Sequence, residues 1–222
     1  MQGIDKQRAD IDQIPVVVRS IQALADCELI CEIVLVCPSA QIPDYYSIIK
    51  DYDLDLVSAV VGGGQTRQTS VFAGINACES SADYFLIHDG ARPLVSTGEI
   101  RACIADAMRY GAAALGVRPR DTFKQVDGVG YISATIDRSN IIAIQTPQVF
   151  GAELYRQAME ATLHEGKDYT DDCQLIESMG RKVFVTPGSH ENFKITTPHD
   201  LAIASAVLRL REEGIEQWLD AD

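Results

Sequence analysis

Short apolar runs alternate with amphipathic segments along most of this chain, and that alternation limits the folds open to it. IVLVC (Ile33–Cys37), LVSAVV (Leu56–Val61), YFLIH (Tyr84–His88), AAALGV (Ala112–Val117) and IIAIQ (Ile141–Gln145) read as buried strands. Around them Pro15–Asp26, Gln41–Asp51, Gln68–Cys78, Thr97–Tyr110, Ala152–His164, Asp171–Met179 and Leu201–Glu213 read as helices. Strand alternating with helix predicts an α/β fold, a mostly parallel sheet with helices on both faces. KVFVT and FKIT add short strands near the C-terminus. FKQV and YISATI flank DGVG and read as a hairpin. It interrupts the alternation at about residues 121–138, which predicts a β-arm projecting toward a partner subunit. A hairpin folded back on its own domain is the alternative.

A chain of 222 residues suits a single domain, 1–222. Its 46% hydrophobic and 23% charged residues exclude disorder over the chain as a whole. No run of about 18 apolar residues is present, so no transmembrane helix is expected. The start MQGIDKQRADIDQ lacks the apolar core of a secretion signal. The six cysteines, Cys27, Cys31, Cys37, Cys78, Cys103 and Cys173, have no zinc spacing and read as buried reduced thiols. A cytoplasmic location follows. A doubly wound fold normally opens with a strand, whereas mostly polar residues precede the first helix here. Either the fold begins oddly or its first strand is missing.

Lys and Arg total 19 against 32 Asp and Glu, a net charge of -13. Such a chain repels nucleic acid and anionic membranes over most of its surface. An anionic substrate would need a local island of basic residues. Parallel sheets place their sites beyond the carboxyl ends of the strands, and basic residues fall there. LVSAVV runs into GGGQTRQTS, where glycines allow close backbone approach and the next helix start, with Arg67 and Ser70, offers N–H groups to an anion. A simple turn is the alternative. YFLIH runs into HDGARPLV, where Asp89 could hold a hydrated divalent metal and Arg92 a phosphate, or the two could form a local ion pair. RPRDTFKQV brings Asp121, Thr122 and Lys124; DRSN brings Arg138; QTPQVF leaves Thr146 at a strand tip. YTDD puts Thr170 at a helix N-cap, and ENFKIT carries Lys194. No serine elbow, H-E-x-x-H or P-loop motif occurs, and the histidines are scattered.

In order, GGGQTRQTSV, LIHDGARPLV, RDTFKQV, QTPQVF, YTDD and ENFKITTPHDLAIA resemble the 2-C-methyl-D-erythritol 4-phosphate cytidylyltransferase family, from about Lys6 to Ala204. The resemblance implies a Rossmann-like nucleotidyltransferase fold with a dimerising β-arm. It implies transfer of CMP from CTP to methylerythritol 4-phosphate, with release of pyrophosphate and a divalent cation, Mg²⁺, as cofactor. It places Lys6 at the transition state. Gly64, Gln65, Ser70, Asp89 and Gly90 fall around the nucleotide, with Asp89 also beside the metal as a catalytic residue. Arg92, Thr122, Thr146, Thr170 and Lys194 match the pocket for the sugar-alcohol phosphate, and Arg138 reaches it across a homodimer. No covalent nucleophile from the protein is required. A ribitol 5-phosphate cytidylyltransferase is the nearest rival, and a non-catalytic homologue the rival of another class.

The chain departs from the family pattern at its start. The family opens with a strand and a glycine-rich loop carrying an arginine, and this chain begins at about the methionine that follows them. A start assigned too late is the expected reason, because the downstream site residues all remain; a truncated gene is the alternative. Arg8 and Ala9 replace an aromatic and an apolar residue, Gln65 a frequent acid, and Gly90 a common alanine.

Overall fold

The computed structural model describes residues 7–79, 81–162, 167 and 169–214. Its centre is a four-stranded sheet in which β10 (Phe184–Pro187), β6 (Ala112–Val117), β9 (Ala143–Gly151) and β5 (Tyr84–Ile87) lie side by side. β10 runs parallel to β6, whereas β9 runs antiparallel to both β6 and β5. A second parallel pair joins β3 (Ile33–Cys37) to β4 (Val57–Gly62). The expected parallel set is therefore present with one reversed strand, β9. That strand is also longer than expected. It continues through Thr146 and Pro147 because Gln148, Val149 and Phe150 pair with β5 on one side and β6 on the other.

Side-chain alternation explains why helices cover both faces. Ala112 and Ala114 of β6, Phe85 and Ile87 of β5, and Phe150 of β9 point to one face. There they meet Phe72 and Ile75 of α3 (Arg67–Ala77), Tyr155, Ala158 and Met159 of α5 (Ala152–Thr162), and Leu175 and Ile176 of α6 (Asp172–Ser178). Ala113, Leu115 and Val149 point to the other face. They meet Ile100, Cys103 and Ala107 of α4 (Thr97–Tyr110) and Leu24 of α1 (Val16–Ala25). The small β6 side chains let helices approach on both sides. Each large apolar side chain buried this way stabilises the fold by about 1.5–3 kcal/mol.

Helix α1 also packs Val17, Val18 and Ile21 against β3, β4 and Tyr45 of α2 (Ile42–Asp51), so one helix spans both sheets. On the opposite side α3 contacts β3 and β4 while its Phe72 and Ile75 enter the central core. Gly74 permits that approach, since a Cβ there would stand 2.9 Å from the Val36 side chain. The last helix, α7 (Pro198–Glu212), starts at a Thr197–Asp200 capping box and covers Ile11, Val16, Leu94 and Ile195.

The hairpin expected between residues 121 and 138 is present as β7 (Lys124–Val126) and β8 (Ile132–Thr135), exposed along its whole length. FKIT is not a strand; a single backbone bond, Ile195 N–H to Ala91 O at 2.8 Å, pins that segment. All six cysteines are free; Cys31 is exposed and Cys78 half-buried, which corrects the expectation of uniform burial.

Before α1 the chain forms a small hairpin that sequence reading does not anticipate, β1 (Asp10–Ile11) with β2 (Ile14–Pro15). Its two-residue turn puts Asp12 at φ 49° and Gln13 at φ 66°, the left-handed region that glycine adopts without a Cβ clash. Asp12 is compensated by hydrogen bonds from Ser205 at 2.8 Å and Arg209 at 3.1 Å, whereas Gln13 contributes only its carbonyl, to Tyr52. Gln13→Gly should therefore stabilise the protein by about 1 kcal/mol, raising the melting temperature by about 2–4 °C. A lower melting temperature would show that the turn carries no strain.

Candidate active site

β5, β6 and β10 end at a common edge, and the reversal of β9 makes it begin there. The register pairs Ile87 with Gln148, so the chain leaving β5 as His88–Asp89 passes beside Thr146 in β9. Three hydrogen bonds fix this junction. The Asp89 N–H donates to Thr146 Oγ1 at 3.0 Å. His88 Nε2 lies 3.0 Å from the Arg92 carbonyl, which can only accept, so the proton sits on Nε2. Nδ1 of the neutral ring then accepts from the Thr146 hydroxyl at 3.2 Å. Thr146 is thus inside a strand, not at its tip, and its buried hydroxyl is committed to holding His88 and Asp89.

The Asp89 carboxylate faces a cluster of cations. Lys194 Nζ lies 3.0 Å from Oδ2, and Arg92 Nε lies 3.4 Å from the same oxygen. Burial alone would raise the Asp89 pKa. The Lys194 ammonium, and then Arg67 and Arg92, outweigh it and hold the carboxyl below its usual range. Asp89 is therefore ionised at neutral pH. Arg92 Nη1 also donates to the Asn192 carbonyl at 2.7 Å, while Asn192 Nδ2 donates to the Thr146 carbonyl at 2.9 Å. The 188–195 segment that carries Lys194 is in this way tied to β9 and to Arg92.

The glycine-rich turn after β4 lies beside this cluster through Arg67. Ser70 accepts from the Gly64 N–H at 3.1 Å and donates to the Thr66 carbonyl at 2.8 Å, while Thr66 and Thr69 form a capping box. A Cβ on Gly64 would collide with the Thr69 side chain, so that position requires glycine. Gln65 is exposed at the turn. Arg67 reaches Asp172 at 2.7 Å and lies within Coulombic range of Asp89. Asp172 has a side chain only 1% exposed. Its Oδ1 accepts from Tyr155 at 2.6 Å, and its N–H donates to Gln148 Oε1 at 3.1 Å. No aligned hydrogen bond reaches Oδ2, so the Arg67 charge is what balances it. Removing one partner of such a pair costs about 3–5 kcal/mol.

The sequence-derived candidates divide by place. Asp89, Arg92, Thr146 and Lys194 meet in one cluster. Gly64, Gln65 and Ser70 line the adjoining turn, and Gly90 packs beside α1 with its carbonyl accepting from Ser20 at 3.1 Å. Thr170 is exposed next to Asp172; the N-cap of α6 is Asp171, not Thr170, because the Asp171 side chain accepts from the Gln174 N–H. Thr122 and Arg138 stand apart, exposed at the base of the arm. Lys6 lies outside the described residues. Sequence reading missed His88 and Asp172 as supports; His88 is adjacent to Asp89, and Asp172 lies two residues from Thr170.

Among the described residues no group of three acidic, His or Cys side chains could hold a metal by itself. One ionised carboxylate suits Mg²⁺ only as a partial ligand, with water and substrate phosphate completing the shell. Asp89 is such a carboxylate.

The family model described as IspD, 2-C-methyl-D-erythritol 4-phosphate cytidylyltransferase, matches residues 1–210. The protein of that name from Desulforamulus reducens is 42% identical over 209 residues, covering 94% of this chain and 89% of its own length. Its counterpart from Geobacillus thermodenitrificans is 39% identical over 209 residues, covering 94% and 91%. The 4-diphosphocytidyl-2C-methyl-D-erythritol synthase structure from Anaerococcus prevotii superposes with a TM-score of 0.83 at 30% identity, covering 91% of this chain and 93% of that one. The Thermus thermophilus cytidylyltransferase structure gives 0.78 at 30% identity, covering 92% and 93%.

Burial pushes the His88 imidazole from 6.5 down to about 4. A depressed folded pKa means that the unfolded chain binds the extra proton first. The His88 contribution to stability is therefore complete above pH 6.5 and falls by up to about 1.4 kcal/mol per pH unit toward pH 4. His88→Gln should flatten this segment of the denaturant-midpoint profile. An unchanged slope in the variant would remove His88 as its source.

Proposed function

The chain belongs to the 2-C-methyl-D-erythritol 4-phosphate cytidylyltransferase family, and on that footing we propose how its residues join CTP to 2-C-methyl-D-erythritol 4-phosphate with release of pyrophosphate. The observation that carries the reading is the Asp89–Arg92–Lys194 cluster beside the glycine-rich turn of Gly64 and Ser70. The substrate phosphate attacks the α-phosphorus in line, so two anions must be brought together. Holding both reactants can supply about 7–11 kcal/mol of the barrier reduction. The turn and the first N–H groups of α3 cradle the nucleotide, with Gln65 and Gly90 beside it. Arg92 and Lys194 bind the sugar phosphate and offset its charge. Lys194 is half-exposed and exchanges Asp89 for the incoming phosphate. Thr146, through His88 and the Asp89 N–H, keeps the Asp89 loop in place, and Thr170 borders the pocket. A divalent cation, Mg²⁺ by preference, would be held by Asp89 with nucleotide phosphates and would neutralise charge on the leaving group. Lys6 adds positive charge at the triphosphate.

A second copy of the chain completes the site. Val126, Val129, Tyr131 and Ile132 on the arm are 56%, 83%, 73% and 65% exposed. An apolar stripe of that exposure calls for a partner surface, and a homodimer covers it while bringing Arg138 to the neighbouring substrate. No described helix is long and apolar enough to cross a membrane, and the acidic surface disfavours nucleic acid; a cytoplasmic setting accords with six free cysteines.

Pyrophosphate release from CTP with each sugar phosphate tests the reaction. Turnover should favour methylerythritol 4-phosphate; preference for ribitol 5-phosphate would replace that assignment, and no turnover with either would overturn the enzyme reading. A charged hydrogen bond contributes about 1.5–3 kcal/mol. Lys194→Ala should then raise KM for the sugar phosphate by about 10–100-fold and KM for CTP much less. Equal rises would mean that Lys194 does not bind the sugar phosphate. Ile132→Asp should give a monomer by sedimentation, and a persistent dimer would mean that the arm is not the interface.

A further inference from the structure

Asn192 stands two residues before Lys194, and its side chain is the only polar one of the 188–195 segment to be fully buried. Its amide meets two acceptors of β9. Nδ2 donates to the Thr146 carbonyl at 2.9 Å and to Gln145 Oε1 at 3.3 Å. Both amide hydrogens are thereby used, and the orientation of the group is settled, because only its nitrogen can face a carbonyl oxygen at that distance. Gln145 in turn donates to the Ser189 carbonyl at 2.9 Å, and the Asn192 N–H donates to the same carbonyl at 3.1 Å. Asn192, Gln145 and Ser189 therefore close a ring that fixes the segment against the start of β9. The amide oxygen, Oδ1, is buried and has no partner among the described residues. An orphaned buried acceptor is destabilising. The amide is thus a liability at its oxygen and an anchor at its nitrogen.

What the anchor holds is charge. The Asn192 carbonyl accepts from Arg92 Nη1 at 2.7 Å, and the Arg92 side chain is only 12% exposed. That bond turns the guanidinium so that Nε, at 3.4 Å, is the atom facing Asp89 Oδ2. These contacts use two of the five N–H donors of a guanidinium and leave others for an anion. Lys194 reaches the same Asp89 oxygen at 3.0 Å. Two cations thus converge on one carboxylate oxygen, and Asn192 is linked to each, directly to Arg92 and through Phe193 alone to Lys194. Its own amide carries no charge, so its contribution is geometric.

We propose that Asn192 is a positioning residue for the sugar-phosphate substrate, setting the separation of Arg92 and Lys194 so that both reach one phosphate group. The inference rests on the assignment of those two cations to that phosphate. Cations fixed in advance bind and orient an anion better than the same charges on loose chains. A displacement of about 1 Å at the backbone of residue 192 would move both cations at once, which is enough to impair a reaction that depends on alignment.

Asn192→Leu keeps the size of the side chain and removes both donors. It should raise KM for the sugar phosphate about tenfold and leave KM for CTP within about twofold. Because the effect passes through two cations, it should shrink when one is already gone. In a Lys194→Ala background, Asn192→Leu should raise KM for the sugar phosphate only about threefold, the share left to Arg92. Asn192→Ala, which should follow the same pattern, replaces the leucine variant if that chain does not fold. A tenfold rise for both substrates, a full tenfold effect in the Lys194→Ala background, or no rise at all would each overturn the assignment. An unchanged KM for the sugar phosphate in Lys194→Ala itself would instead remove the underlying reading, and this inference with it.

Discussion

The hydrogen bond from the Asp89 amide to the Thr146 hydroxyl ties the end of β5 to the start of β9, and the geometry of the charged cluster follows from it. β9 runs against both neighbours, so its first residues stand where the other strands finish. Had it run parallel, Gln145 and Thr146 would lie at the opposite edge, and neither could anchor the Asp89 loop or Asn192. The reversed strand brings one buried polar side chain after another to the rim. Gln145 holds Ser189, Thr146 holds Asp89 and His88, and Gln148 holds the start of α6 at Asp172.

The electrostatic design follows from burial. A net charge of -13 would repel a phosphorylated substrate from most of the surface. The cations that oppose this repulsion at the Asp89 cluster are not free; Arg67, Arg92 and Lys194 are each paired with Asp172 or Asp89. Pairing prevents an uncompensated buried charge, which would be costly. It also divides the labour. Arg67 faces a carboxylate that is almost wholly buried and is locked there, whereas Lys194, its own side chain 46% exposed, faces a carboxylate that solvent still reaches at 18%, and can change partners. The same contact type therefore serves structure in one case and exchange in the other, with solvent access deciding which.

Much of this was legible in the sequence where the signal is local. The run Ala112–Val117 and the helix Thr97–Tyr110 are found at their expected bounds, because an apolar run closed by Val117 and a Ser96–Glu99 box followed by Gly111 state their own ends. The chemistry-bearing residues at strand ends were legible for the same reason. What failed depends on distant partners. The continuation of β9 through Pro147 is set by pairing with β5 and β6, and nothing within QTPQVF announces it. FKIT has the composition of a strand, but its single backbone bond, from Ile195 to Ala91, makes no ladder. Asp12–Gln13 carries no glycine to mark its turn; Asp12 is held by Ser205 and Arg209 from the far end of the chain. Arg118 and His190, 72 residues apart in the sequence, line one cavity only because β6 and β10 are neighbours.

The reaction asks the protein for placement and charge, not for a nucleophile, and the fold answers with segments pinned at several points. The 188–195 segment is the clearest case. Its backbone is fixed by Gly116, Gln145, Arg92 and Ala91, and its Asn192 side chain reaches the Thr146 carbonyl. It has no regular secondary structure, yet few of its polar backbone groups are left to wander. Lys194 consequently starts from a defined base while its half-exposed side chain reaches out to Asp89. A strand would supply similar stiffness but would alternate its side chains rigidly between two faces. An irregular segment bonded at every second or third residue can instead send Asn192 inward, Lys194 to Asp89 and His190 to the arm. Irregular backbone is therefore the physical requirement for one short segment to serve several directions at once.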